Sequence, residues 1–257
     1  KAVTTAKTST IDRARTNNFP TYPRQKLIMI VCGVLGLLVP LIIVLLIHFF
    51  DNKIDSEETI EKLTRIPILG RIAFQKGGEK VVVKHGSRTG VNEMFRLLRT
   101  NLNFLSSKKG SQTILLSSSI SGEGKTFIAL NLGITLALAN KKVLLLGMDL
   151  RKPKLKEYIE AVSGKGISNY LAGQSELDEI MQQHPDHANL SYIISGPTPP
   201  NPAELFLSDR MEAMLTELSG RFDYVLIDTP PIGLVSDALL LRKYVDNILI
   251  VVRQNLT

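Results

Sequence analysis

The chain has no tryptophan and a single cysteine, Cys32. One cysteine excludes an intrachain disulfide, which fits a reducing compartment for the folded part. The absence of tryptophan matters because the chain is basic, with 31 Lys and Arg against 24 Asp and Glu and a net charge of +7. An excess of that size draws phosphates, anionic lipid or nucleic acid. The cations are scattered rather than interleaved with aromatic side chains, so no nucleic-acid partner is expected. Internal repeats are also missing. A hydrophobic share of 44% over 257 residues is enough for one sizeable core and something smaller.

A second absence is charge between Leu27 and Phe50. As a helix this run is about 36 Å long, more than the roughly 30 Å hydrocarbon core of a bilayer. A secretory leader fits neither its length nor the want of a small-residue cleavage site, and a buried core helix rarely stays apolar on every face for so long. The run is therefore expected to span a membrane, and Gly33, Gly36 and Pro40 are tolerable there. Arg13, Arg15, Arg24 and Lys26 precede it, and Asp51, Asp55, Glu57, Glu58 and Glu61 follow. That charge bias alone would place the N-terminal side in the cytoplasm. A nucleotide site further along the chain requires the opposite, and the site is given the greater weight.

Residues 1–26 read as the extracytoplasmic end of a membrane module, 27–50 as its last span, and 51–90 as a juxtamembrane segment and linker. Within the last of these, Ser56 is expected to cap a short helix to Leu63, and the stretch from Gln75 to Gly90 is rich in Gly and Lys. Residues 91–257 form the main domain, expected to be C-terminally incomplete. It opens on a helix whose apolar positions are Val91, Met94, Phe95, Leu98, Leu102 and Leu105, with Glu93, Arg96 and Arg99 on another side. Strand-like runs follow at Thr113–Ser117, Val143–Leu146, Leu190–Ile194, Tyr224–Ile227 and Ile248–Val252. Helical stretches begin near Lys125, Lys154, Ser168, Ala203 and Ser236. Strands apolar on both faces that alternate with helices imply an α/β fold, a mostly parallel sheet flanked by helices.

The chemistry concentrates where the first strand runs into Ser119-Ile-Ser-Gly-Glu-Gly-Lys-Thr126 and a helix opens at Lys125. A strand, a glycine-bearing loop and a helix N-terminus together make a P-loop, whose backbone N–H groups cradle phosphate. Ser121, Gly122, Glu123, Gly124, Lys125, Thr126 and Phe127 are the expected nucleotide-binding residues. Lys125 would reach the outer phosphates and Thr126 would hold Mg²⁺. The strict pattern asks for glycine at position 119, where Ser119 stands. Two later strands end in carboxylates. Tyr224–Asp228 brings Asp228 to the carboxyl edge of the sheet as a group for Mg²⁺. The other runs through Gly147 to Asp149 and Arg151. Asp149 is placed either to approach the metal or an attacking hydroxyl, or to cap a helix before Pro153. Arg151 is placed to hold phosphate or to pair with a carboxylate.

At these residues the chain resembles the bacterial tyrosine kinases, P-loop kinases joined to a chain-length-determinant membrane module. The resemblance spans Ile66-Pro-Ile-Leu-Gly70, the Glu93, Arg96, Arg99 helix, the Ser119–Thr126 box, the Asp149 and Arg151 box, Val225–Asp228 with the Thr-Pro-Pro after it, and Ser195–Glu204. It implies ATP and Mg²⁺ as cofactors, with Lys125, Asp149 and Asp228 in catalysis and Thr126, Asp149 and Asp228 at the metal. It also implies a ring-like homo-oligomer contacted through Glu93, Arg96 and Arg99, a place in capsule or exopolysaccharide export, and a bacterial inner membrane with the kinase domain cytoplasmic. The reading of Glu93, Arg96 and Arg99 as a solvated helix face stands beside that interface role. Two departures are visible. Gly147 replaces the first aspartate of its box, and Tyr158, Tyr170, Tyr192, Tyr224 and Tyr244 are dispersed rather than clustered as acceptors, as core or helix-surface residues would be.

Two other functions compete. A partition-type ATPase shares the sheet, but its early P-loop lysine has no counterpart in Ser118–Ser121. A co-polymerase scaffold, whose nucleotide site only controls assembly, is kept open by Gly147.

Overall fold

The computed structural model describes residues 22, 24–50, 53–75, 77–105, 110–159, 164–233 and 240–257. Most of the polar approach, including Arg13 and Arg15, lies outside these residues, as do Asp51 and the helix expected from Ser236. The chain divides into two compact units, Lys1–Asn52 and Lys53–Thr257.

The first unit contributes one helix, α1 (Gln25–Phe50), which begins two residues before the uncharged run. All its side chains are exposed. Length and composition make it able to cross a membrane.

In the second unit, α2 (Glu57–Leu63) and α3 (Gly90–Leu105) precede β1 (Gln112–Ser118) and α4 (Lys125–Ala137). Then come β2 (Val143–Gly147), three short helices α5 (Leu155–Ile159), α6 (Ile167–Leu171) and α7 (Leu177–Ile180), and the pair β3 (Gln182–His184) and β4 (His187–Ile193). The chain continues through α8 (Pro202–Phe206), α9 (Asp209–Arg221), β5 (Tyr224–Asp228), a 3₁₀ turn at Leu241–Tyr244 and β6 (Asn247–Val251). The strand order is β3-β4-β2-β5-β1-β6. All neighbours are parallel except β3 with β4. The expected α/β architecture is present.

Every residue of β1, β2 and β5 is buried. Their continuous apolar runs thus have partners on both faces. One core layer joins Phe95, Leu98 and Leu102 of α3 to α4 and to Ile114, Leu145 and Leu226 of the sheet. The other joins Leu144, Leu146, Val225 and Ile227 to Met211, Met214 and Leu218 of α9. Burying each such side chain contributes about 1.5–3 kcal/mol.

Three expectations change in detail. Ser56 stands at the start of α2, but its hydroxyl pairs with the Thr59 hydroxyl (3.0 Å) instead of capping a backbone N–H. The helix from Ala203 is two helices, α8 and α9, separated at Leu207–Ser208. The linker reading of 75–90 does not hold for its middle. Val81 and Val82 are partly buried and Val83 is buried against the core. The side chain of Asn131, fully buried in α4, accepts from the N–H of Val82 (2.9 Å) and Val83 (3.1 Å) and donates to Lys80 O (2.9 Å).

Further on, the segment after residue 52 meets residues 253–257. Ile54 N–H donates to Thr257 O (2.7 Å) and Ile54 O accepts from Asn255 N–H (2.9 Å).

Candidate nucleotide-binding site

Parallel pairing brings three strand ends to one edge. Leu116 of β1 and Gly147 of β2 both lie opposite Asp228 of β5. The loops that leave these ends are therefore adjacent, as expected for a ligand site at the carboxyl edge of an open α/β sheet. The segment after β5 is laced to β1. Thr229 N–H (3.1 Å) and its hydroxyl (2.9 Å) both donate to Leu116 O, and Ile232 N–H donates to Ser118 O (2.8 Å). At Gly233 a Cβ would lie 2.3 Å from Ser119 O, so only glycine permits this approach to the P-loop.

The P-loop turns at Gly122 (φ 95°) and Gly124 (φ 96°), conformations that L side chains rarely adopt. No atom lies within 4 Å of where their Cβ atoms would be, so a concave surface remains in front of the N-terminus of α4. Glu123 does not face that surface. Its carboxylate accepts from Ile120 N–H (2.9 Å) and from the Thr257 hydroxyl, and so braces the loop. Gly122 O accepts from the Arg253 guanidinium (3.2 Å). Phe127 also turns away and its ring packs against Phe95, with centroids 6.1 Å apart. Neither Glu123 nor Phe127 lines the cavity, so any part they take in nucleotide binding falls to the backbone.

That cavity, of about 200 Å³, is lined by Ser121, Gly122, Gly124, Lys125 and Thr126 together with Asp149 and Arg151. Lys152, Lys154 and Tyr158 complete it without having been expected at the site, together with Pro230 and Pro231 of the Thr-Pro-Pro match. The signal for the two lysines was the basic run Arg151–Lys156. Tyr158 gave none, since a lone tyrosine in a short charged helix looks like surface. Four cations against the one carboxylate of Asp149 suit a polyanion.

Lys125, Thr126 and Asp228 are 8%, 9% and 3% exposed. Lys125 Nζ donates to the Ser118 hydroxyl (2.9 Å), and the Thr126 hydroxyl donates to Asp228 Oδ2 (2.7 Å). Asp228 Oδ1 is buried with no hydrogen-bond partner. Burial pushes the Asp228 carboxyl up to about 7, against the pull of the Thr126 hydroxyl and the Lys125 charge; the Asp149 charge raises it further. Burial likewise lowers Lys125, although Asp228, Asp149 and Glu123 attract its charge. Tyr158 is raised by burial first and then by Asp228 and Glu157. A hydroxyl and an unpartnered buried carboxylate oxygen are donors that a hard divalent cation takes, and Mg²⁺ fits them.

Asp149 is at the cavity, but its Oδ1 accepts from the N–H groups of Arg151 (3.2 Å) and Lys152 (2.9 Å), so it caps a turn and not the helix α5, which opens only at Leu155. At Gly147 a Cβ would stand 3.1 Å from Leu155 Cδ2 and 3.2 Å from Ser195 Oγ, and Ser195 donates to Gly147 O (2.7 Å). Position 147 is therefore filled from outside by Leu155 and Ser195. Glu93, Arg96 and Arg99 do not line this cavity. On α3, Arg96 pairs with Glu93 (2.5 Å) and Arg99 donates to Thr135 O (3.4 Å).

Residues 111–256 match the model of a family described as an AAA domain. Over 270 residues the chain is 30% identical to the tyrosine-protein kinase wzc of Salmonella typhi, covering 98% of this chain and 37% of that protein. The chain thus spans little more than a third of that relative's length. It is 35% identical over 166 residues to the tyrosine-protein kinase YwqD of Bacillus subtilis, covering 65% of this chain and 70% of YwqD. The kinase domain of the Escherichia coli tyrosine kinase ETK superposes with a TM-score of 0.71 at 28% identity, over 78% of this chain and 82% of that domain. On this likeness in sequence and fold, the chain belongs to the bacterial tyrosine-protein kinases.

Proposed function

We propose that this chain carries the ATP-dependent tyrosine kinase unit of a membrane-anchored protein that regulates capsular or exopolysaccharide polymerisation and export. The observation that carries it is the meeting of Lys125, Thr126 and the unpartnered Asp228 Oδ1 beneath a cation-lined cavity at the sheet edge.

In this reading, the N–H groups of residues 121–127 and the N-terminus of α4 hold the phosphates of ATP. Lys125 releases Ser118 and turns its ammonium to the outer phosphates, where it offsets charge as the terminal phosphoryl group leaves. Thr126 and Asp228 would hold Mg²⁺, which would supply charge neutralisation, and Asp149 would complete that side of the site. The tyrosine oxygen forms a new P–O bond as the bond to ADP breaks. The hydroxyl proton passes to the Asp149 carboxylate, which sits at the cavity wall. Arg151, Lys152 and Lys154 hold the polyanion from the opposite loop.

The anchor is α1, with the kinase unit on the cytoplasmic side of a bacterial inner membrane. A relative 31% identical over 95% of this chain is named for a tyrosine-protein kinase in the cps region of Klebsiella pneumoniae, which supports the place in polysaccharide export. The same likeness supports a homo-oligomer, with Glu93, Arg96 and Arg99 at the subunit contact.

A second reading, a co-polymerase scaffold that binds nucleotide without efficient transfer, is favoured by the packing of Gly147 against Ser195 and Leu155. Incubation of the anchored protein with ATP and Mg²⁺, followed by phosphotyrosine blotting, separates the two. The kinase reading expects a signal that vanishes in Lys125→Met. ATP binding with no signal in the unaltered protein supports the scaffold.

A further inference from the structure

Away from the sheet edge, a cavity of about 270 Å³ opens between the 83–86 turn, α3 and the last turn of α4. Its polar lining carries the cations Lys84, Arg96 and Arg99 beside His85, Asn92 and Thr135. Lys84, His85, Arg96 and Arg99 face it, with Val83 and Leu138 as apolar walls, and no carboxylate lines it among the described residues. The nearest compensating charge is Glu93, paired with Arg96 at 2.5 Å and itself outside the lining.

The donors are fixed in place but largely unspent. Each guanidinium carries about five N–H groups. Arg96 uses its Nη atoms on Glu93 and on Ser87 O (3.4 Å), and Arg99 makes a 3.4 Å bond to Thr135 O. The wall opposite is pinned by Asn92, only 2% exposed. Its Oδ1 accepts from Lys84 N–H (3.3 Å), and its Nδ2 donates to Lys84 O (3.4 Å) and Ser87 O (3.1 Å). The turn that presents Lys84 and His85 is thereby held against the arginines.

A cation at the C-terminal turn of a helix is ordinary, because the helix dipole favours it there. That accounts for Arg99 beside Thr135. It does not account for Arg96, Lys84 and His85 around the same concavity. The three positive charges of Lys84, Arg96 and Arg99 against one carboxylate leave an excess of two, with forked donors of the shape that phosphate accepts. We propose that this cavity is a binding site for a phosphate-class dianion, either inorganic phosphate or the head of a phosphate monoester. It is separate from the nucleotide site and does not depend on the kinase reading. A lone carboxylate from a second subunit would satisfy only half of the excess charge.

The test is calorimetric titration of the whole chain in neutral detergent micelles with inorganic phosphate. Phenyl phosphate forms a second arm and sodium chloride the control. Lys125→Met weakens phosphate binding at the P-loop, and the variants at Arg96, Arg99 and Lys84 assign the binding that remains. The expected result is saturable one-to-one binding that persists in Lys125→Met and weakens at least tenfold in Arg96→Gln or Arg99→Gln. Arg99→Lys should retain part of it, since charge survives while the fork is lost. Lys84→Gln, at an exposed position, should weaken it without a change in thermal melting, which covers the case of an arginine variant that fails to fold. Phenyl phosphate that binds as well as inorganic phosphate identifies the monoester head as the ligand; weaker binding identifies the free anion. The proposal is overturned if no saturable binding occurs, if binding disappears in Lys125→Met, or if the arginine variants change assembly and leave phosphate affinity untouched.

Discussion

Replacing Asp228 by Asn should make the metal-free protein more stable in alkali while destroying its site. The carboxyl is buried and is raised from 3.8 to about 7. A raised carboxyl binds its proton more tightly in the folded than in the unfolded chain, so stability falls as pH rises from the unfolded value through the folded one. At about 1.4 kcal/mol per tenfold change in proton affinity, the carboxyl accounts for a loss of roughly 3 kcal/mol between pH 5 and pH 8.5. Asparagine keeps the shape and an oxygen for the Thr126 hydroxyl but carries no charge, so the variant should not show that loss. The assay is urea unfolding of the detergent-solubilised chain in EDTA, followed by far-UV circular dichroism because the chain has no tryptophan. The difference between the two proteins isolates this carboxyl from the histidines, which titrate in both. Nucleotide affinity in the presence of Mg²⁺ should rise in the parent as pH passes 7, and should be lost in the variant. Parallel pH slopes for the two proteins would refute the reasoning.

Gly233→Ala puts a methyl group 2.3 Å from Ser119 O; the P-loop must shift, and ATP affinity by equilibrium dialysis should fall at least tenfold, roughly 1.4 kcal/mol. Gly147→Asp restores an aspartate to the second box but drives its side chain into Leu155 and Ser195. It should cost about 1–3 kcal/mol in urea unfolding and leave phosphotyrosine formation no higher than in the parent. Asn131→Ala removes the bonds to Lys80, Val82, Val83 and Phe127 O. The expected loss is about 3 kcal/mol, with faster amide exchange at Val82 and Val83 as its local signature.

The sheet and the P-loop were legible because each has a pattern that few other structures produce. β2 and β5 are continuous apolar runs and β1 carries Ile114–Leu116 at its centre, while Gly122, Gly124, Lys125 and Thr126 mark the turn into α4. What escaped notice depends on contacts distant in sequence. The valines at 81–83 lie among Gly and Lys, so their composition reads as linker, and only Asn131, some 50 residues on, shows where they are held. The antiparallel β3 is Gln-Gln-His, with no apolar alternation to announce it. Tyr158 enters the site because α5 is only five residues long and ends beside the P-loop, a placement no periodicity encodes. Asp149 lines the cavity, while its carboxylate caps the turn at Arg151 and Lys152 and not the helix expected there. The direction of Arg96 and Arg99 into a cavity was equally invisible, since helical spacing names a face and not what it meets.

The pairing of Leu116 with Asp228, and of Asp228 with Gly147, makes the sheet a measuring scale for the site. Side chains alternate faces along a strand, so moving β5 by a single residue against β1 would carry Asp228 to the opposite side and put Ile227 or Thr229 under Thr126. The separation of the metal-facing groups is thus set by backbone hydrogen bonds, in steps of one residue, and not by the flexible loops above them. Variation among related chains has room in the loops at 148–154 and 195–201, where length can change without altering that scale. Within β1 or β5 it has none: a one-residue insertion there would leave the fold recognisable and the nucleotide site gone.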